Sequence, residues 1–147
     1  MSSAPVRMER MLGALLRIPS QAIVTRIAGA MHQAGYHDLS SAQFNVFQHL
    51  PAEGARVTEL AERAQITKQS MSARVNELVD GGYLYRTPDP ADGRASIVLR
   101  TERGWEIERI ARATINEIER EWAEALGEER FREFRSVLED LARLLES

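Results

Sequence analysis

The sequence has no cysteine, a single lysine and no long apolar run. Without cysteine there is no disulfide framework, thiol nucleophile, thiol redox sensor or cysteine-ligated zinc. No stretch approaches the roughly 18 uninterrupted apolar residues of a membrane span. The opening Met1-Ser2-Ser3-Ala4-Pro5 lacks the apolar core of a secretory signal. A cytoplasmic protein with no membrane partner is expected. Phosphate-binding and dinucleotide-binding glycine motifs are missing, as are H-E-x-x-H and G-x-S-x-G. No spacing of Ser, His and Asp assembles a triad, so no enzyme is expected. His32, His37 and His49, even with Asp38 or Glu53, match no zinc spacing. Neither a metal nor a cofactor is expected.

What is present is a chain of 147 residues, enough for one compact domain over 1–147 with a core of its own. Net charge is −3, but the acidity is local. Residues 104–147 hold twelve acidic and seven basic side chains, whereas residues 55–103 hold seven acidic and eight basic. Lys68, the only lysine, lies in that second stretch. A nucleic-acid site needs local basic groups, not a basic average.

Apolar spacing predicts a helix over 19–35, with Ile23, Ile27, Met31 and Ala34 on one face. Pro19 suits its first turn and Gly35 its end. Met8, Met11, Leu12, Leu15 and Leu16 read as a separate arm ending before Pro19. A second helix, about 41–50, is capped by Ser40 or Ser41 and ended by Pro51. A third carries Val57, Leu60, Ala61 and Ala64, opened by Thr58. After a turn at Gln65-Ile66, Thr67 caps a fourth helix over 68–80, ended by Gly81-Gly82. The period then changes. Residues 83–87 and 96–100 read as strands of a hairpin around the turn-forming stretch 88–93. Thr101 caps a long helix over 102–126. A last helix, about 128–145, has Phe131, Phe134, Leu138, Leu141 and Leu145 in a heptad-like seam.

Two short helices joined by a tight turn, followed by a β-hairpin, make a winged helix-turn-helix. The fold class is therefore mainly α, with the winged lobe over 41–101 and helical segments 1–40 and 102–147 flanking it. On the fourth helix Met71, Val75 and Leu78 share one face at 100° per residue. Gln69, Ala73 and Asn76 point the opposite way, flanked by Ser70, Ser72 and Glu77. That outward face is small and polar. It admits close approach to a major groove, and Gln and Asn can pair with an adenine edge. Lys68 and Arg74 stand at its margins, where phosphates would lie. The helix N-terminus at Thr67-Lys68 also favours a phosphate. At the hairpin tip Arg94 is held up by a stiff turn, suited to a minor groove. Asp92 is close enough to hold its guanidinium by a bidentate pair.

The run Asp92-Gly93-Arg94, then Leu99, Thr101 and Gly104, resembles the wing of the MarR family of bacterial regulators. The stretch from Leu60 through Ser72 resembles that family's helix-turn-helix, and Leu78 through Leu84 its approach to the wing. Gln65 departs from the pattern, because such turns often carry glycine. The resemblance implies a transcriptional regulator that binds double-stranded DNA as a homodimer, with helices from both chain ends forming the interface. Thr67, Lys68, Gln69, Ser70, Ser72, Ala73, Arg74 and Asn76 would face the major groove, and Arg86, Asp92 and Arg94 belong to the wing. The resemblance also implies a small aromatic or anionic effector, a pocket between the lobe and the flanking helices, and repression relieved by that ligand. His32, Tyr36, His37, Phe47 and Trp105 stand at pocket positions. The competing reading is a winged-helix module that binds protein; Lys68, Arg74, Arg86 and Arg94 favour DNA.

Overall fold

The computed structural model describes residues 9–147. Met8 of the expected N-terminal arm lies outside them. In chain order the elements are α1 (Leu12–Gln33), α2 (Ser41–His49), α3 (Val57–Ala64), α4 (Lys68–Asp80), β1 (Leu84–Asp89), β2 (Asp92–Arg100), α5 (Glu102–Leu126) and α6 (Glu128–Glu146). The chain is mainly helical, with one two-stranded antiparallel hairpin among the described residues.

Local chemistry sets most boundaries. Ser40 and Gln43 form a reciprocal capping box at the start of α2. The Thr67 and Thr101 hydroxyls accept backbone N–H groups of Ser70 and Gly104, opening α4 and α5. Gly35, at φ +94°, ends α1 by letting the Tyr36 N–H reach back to the Met31 carbonyl.

Three boundaries differ from the sequence expectation. Pro19 does not separate an arm from a helix, because α1 runs through it. Its ring forgoes one backbone hydrogen bond. In return it lines an apolar cleft with Trp122, Ala125, Leu126 and Phe134, so packing outweighs local preference. Thr58 lies inside α3, whose N-cap is Arg56. Arg56 instead pairs with Asp89 at 2.7 Å, which ties the start of α3 to the wing. The strands are longer than expected and the turn is only Pro90-Ala91. Pro88 pairs opposite Ser96, which a two-stranded ribbon tolerates because each strand has a free edge. A register shift follows it, between Pro88 and Asp89.

The core sits under the winged lobe. Met71, Val75 and Leu78 of α4 are buried, as are Leu60 of α3, Val46 and Phe47 of α2, and Val98 of β2. Ala55 exchanges two backbone hydrogen bonds with Val98, adding one bridge to the hairpin's edge. Where α5 begins, Gly104 passes so close to the chain before β1 that a Cβ would lie 2.2 Å from the Tyr83 carbonyl oxygen. Only glycine fits that crossing. α5 then buries Ile107, Ala111, Thr114 and Ile118. α1 packs along α5, where Arg26 makes a forked pair with Glu121 at 2.7 and 3.1 Å. α6 has no buried residue. No helix among the described residues is long and apolar enough to cross a membrane.

Candidate nucleic-acid interface

α4 presents the face its spacing predicts. Met71, Val75 and Leu78 are fully inside, whereas Gln69, Ala73 and Asn76 are exposed along the opposite edge. Lys68 and Ser70 are also exposed, and Ser72 is half-buried. Thr67 and Ser70 are engaged with each other: the Thr67 hydroxyl donates to Ser70 Oγ at 2.9 Å and accepts the Ser70 N–H at 3.0 Å. Those bonds fix the N-terminal turn of α4, whose first N–H groups face outward with partial positive charge. Arg74 is half-buried and leans back toward α2, its guanidinium 3.5 Å from the Ala42 carbonyl oxygen.

The turn that presents α4 is tight because Gln65 takes the left-handed conformation, φ 56° and ψ 43°. It is the only described residue other than glycine with positive φ. Its N–H and that of Ile66 reach back to the Glu62 and Ala61 carbonyls, closing the C-terminus of α3.

The wing lies against the same face. Arg86 of β1 donates to Asn76 Oδ1 at 2.6 Å, so the outward edge of α4 and the base of the hairpin are contiguous. At the tip the Arg94 side chain is 97% exposed. Asp92 does not grip it as a fork. Its Oδ1 accepts the Arg94 backbone N–H at 3.1 Å and stands 3.7 Å from Arg94 Nε. Asp92 therefore shapes the turn and leaves the guanidinium free, because the two-residue turn brings the backbone amide to the carboxylate first. Asp89 anchors the other side. It accepts the Ala91 N–H and pairs with Arg56, and both hold its carboxyl below the usual carboxylate range.

The five expected pocket residues do not share one cavity. Phe47 and Trp105 line a half-open cavity of about 610 Å³ between α1, α2 and α5. Ile23, Ile27 and Ile115 complete its apolar wall, and at its polar side Arg112 pairs with Glu108 and Arg135 with Glu119. His32, Tyr36 and His37 lie elsewhere, beside the turn between α4 and β1. There the two imidazoles meet Nδ1 to Nδ1 at 2.8 Å. Tyr36 packs near Tyr83, whose buried hydroxyl donates to Asp38 at 2.7 Å. That bond holds the Asp38 carboxyl below its usual range, while burial and Asp38 push the Tyr83 phenol up. Among the described residues no three His, Asp or Glu side chains converge as a metal site.

Arg100 is the residue at the cavity wall for which the sequence raised no expectation. Its guanidinium is buried, donating to the Phe47, Leu50 and Pro51 carbonyls and to Glu108 Oε2. Its Cζ lies 4.8 Å from the Trp105 ring. Burial lowers its pKa, with Glu108 opposing. Strand alternation was the available signal, since Arg100 follows Val98 on the inward face. Arg100 thus joins the end of the wing, the C-terminus of α2 and the first turns of α5 at the cavity wall.

Comparison with known proteins adds to this geometry. The model of the MarR family matches residues 37–95. An uncharacterized HTH-type transcriptional regulator of Mycobacterium bovis is 33% identical over 95 residues, spanning 56% of this chain and 66% of that protein. The match thus spans just under two thirds of that relative's length. Among solved structures, a transcriptional regulator of Thermotoga maritima is 25% identical, with a TM-score of 0.64, over 91% of this chain and 93% of its own. The transcriptional repressor CouR bound to a 23-mer DNA duplex superposes with a TM-score of 0.71 and 24% identity, over 97% and 99%. CouR from Rhodococcus jostii bound to p-coumaroyl-CoA gives 0.67 and 22%, over 89% and 91%. At those identities the CouR likenesses establish the fold.

Proposed function

We propose that this chain, whose residues 37–95 match the model of the MarR family, regulates transcription by binding double-stranded DNA as a homodimer. The observation that carries this reading is the contiguous surface formed by α4 and the wing. A small polar helix edge of Gln69, Ala73 and Asn76 adjoins a hairpin whose tip holds out a free arginine. Small polar residues admit base edges in a major groove, and a free arginine suits the negative potential of a minor groove. Twofold pairing through α1 and α6 would set two such surfaces about one helical turn apart, giving a pseudo-palindromic operator.

The proposed outcome is repression, relieved by a small aromatic anion. The cavity supports that ligand class: Phe47 and Trp105 offer ring faces, and an anion would compete with Glu108 and Glu119 for Arg112 and Arg135, which they hold in the free protein. It lies between the winged lobe and α1 and α5, where occupation would shift one against the other and change the spacing of the two α4 helices.

The test is fluorescence anisotropy of the purified protein on its own upstream intergenic DNA, beside random duplex, at two salt concentrations. Specific binding at two chains per site, weakened steeply by salt, is the expected result. Absence of binding to both duplexes at either salt concentration would favour the protein-binding module instead. A thermal-shift screen of aromatic carboxylates should raise the melting temperature for at least one, and no shift with any of them would remove the effector.

A further inference from the structure

The contact between Arg86 and Asn76 has a consequence for which base α4 reads. A guanidinium carries only donors, so the atom of Asn76 that faces it must be the amide oxygen. The 2.6 Å contact between Arg86 and Asn76 Oδ1 therefore fixes the sense of the amide. Nδ2 is left as the group that Asn76 offers outward. Free asparagine favours adenine because it presents an acceptor to the N6 amino group and a donor to N7. Here one lone pair of that acceptor is already engaged, and the positive guanidinium beside it disfavours a second donor such as the N6 amino group. The combined surface of Asn76 Nδ2 and the remaining Arg86 N–H groups is donor-only. It matches a base edge with two acceptors, which in the major groove is guanine, with N7 and O6.

We propose that Asn76 and Arg86 act as one reading unit that selects guanine, with Arg86 as the positioning residue that denies Asn76 its usual preference for adenine. The proposal rests on the DNA-binding reading above. Both side chains are exposed and neither belongs to the core, so their replacement spares the fold.

The experiment is selection from a pool of duplexes with a randomised centre, using the full chain, Asn76→Ala, Arg86→Ala and Arg86→Lys. The position read by Asn76 is the one whose preference disappears in Asn76→Ala. There the unaltered protein should favour guanine over adenine by about tenfold, the size of one good paired contact. Arg86→Ala should turn that preference toward adenine, and Arg86→Lys, which keeps a charged donor, should restore guanine. A residue that only attracted phosphates would lower affinity for every duplex and leave base preference unmoved. Adenine at that position in the unaltered protein, or the same preference in Arg86→Ala, overturns the proposal while DNA binding stands. Failure of the unaltered protein to enrich any duplex overturns both.

Discussion

Arg94 and Arg100 lie six residues apart in one hairpin and have opposite surroundings. The Arg94 side chain is almost wholly in solvent, with one weak contact to Asp92. An exposed pair of that kind contributes about 0–1 kcal/mol, so stability does not account for it. Arg94→Ala should leave the melting temperature unchanged, weaken binding to every duplex and reduce the salt slope by about one per chain. Anisotropy titrations over a salt series would test this, and an unchanged slope would remove Arg94 from the interface. Arg100 is buried, and its partners are carbonyls at the end of α2 together with Glu108. Arg100→Met leaves the Leu50 carbonyl without its donor and removes one of the two arginines on Glu108, which keeps Arg112. It should cost about 1–3 kcal/mol in urea unfolding, because a buried carbonyl loses its donor and Glu108 keeps only Arg112. A change under about 1 kcal/mol would mean that water replaces the guanidinium.

At the scale of elements, the helix-turn-helix depends on a bend made by a residue poorly suited to it. Gln65 holds a left-handed conformation that costs a side-chain-bearing residue roughly 1 kcal/mol or more. Glycine would avoid that cost and give back part of it as entropy in the unfolded chain. Gln65→Gly should therefore stabilise the protein by roughly 0.5 kcal/mol, a rise of about 1–2 °C in Tm by calorimetry. A fall in Tm would mean that the Gln65 side chain has a compensating role. Proline at position 19 shows the reverse relation. It opposes the helix locally, yet α1 continues through it because Trp122 and Phe134 line the same cleft.

At the scale of the whole molecule, the single chain leaves much of its apolar surface uncovered. On α6 Phe134, Leu138, Leu141, Leu144 and Leu145 are exposed, as are Leu12, Leu15 and Leu16 of α1 and Met11, its N-cap. Monomeric proteins rarely show a continuous patch of that extent. Pro19 of α1 and Phe134 of α6 line one cleft, so the two helices approach each other there. A second copy of the chain, related by twofold symmetry, is the occupant proposed above. Leu138→Glu combined with Leu141→Glu should give a monomer by light scattering with an unchanged helical signal, since α6 contributes nothing to the core. Affinity for a two-half-site duplex should fall about 100-fold or more, as the linked second contact is lost. A variant that remains a dimer would place the interface elsewhere.

The sequence by itself determined the order of elements, the helices α2, α4 and α5 almost to the residue, and which face of α4 is buried. These follow from local capping and from short-range periodicity, which the chain writes residue by residue. The strained turn at Gln65 was legible too, as a missing glycine. Tertiary structure alone decided the burial of Arg100, the separation of His32, Tyr36 and His37 from the cavity that Phe47 and Trp105 share, and the seizure of Asn76 by Arg86. Each joins residues distant in the chain or on different elements, and whether such groups meet depends on how helices pack rather than on their own propensities. Pro19 belongs with them: a residue's local preference is worth a few kcal/mol at most, and a packed interface can outweigh it.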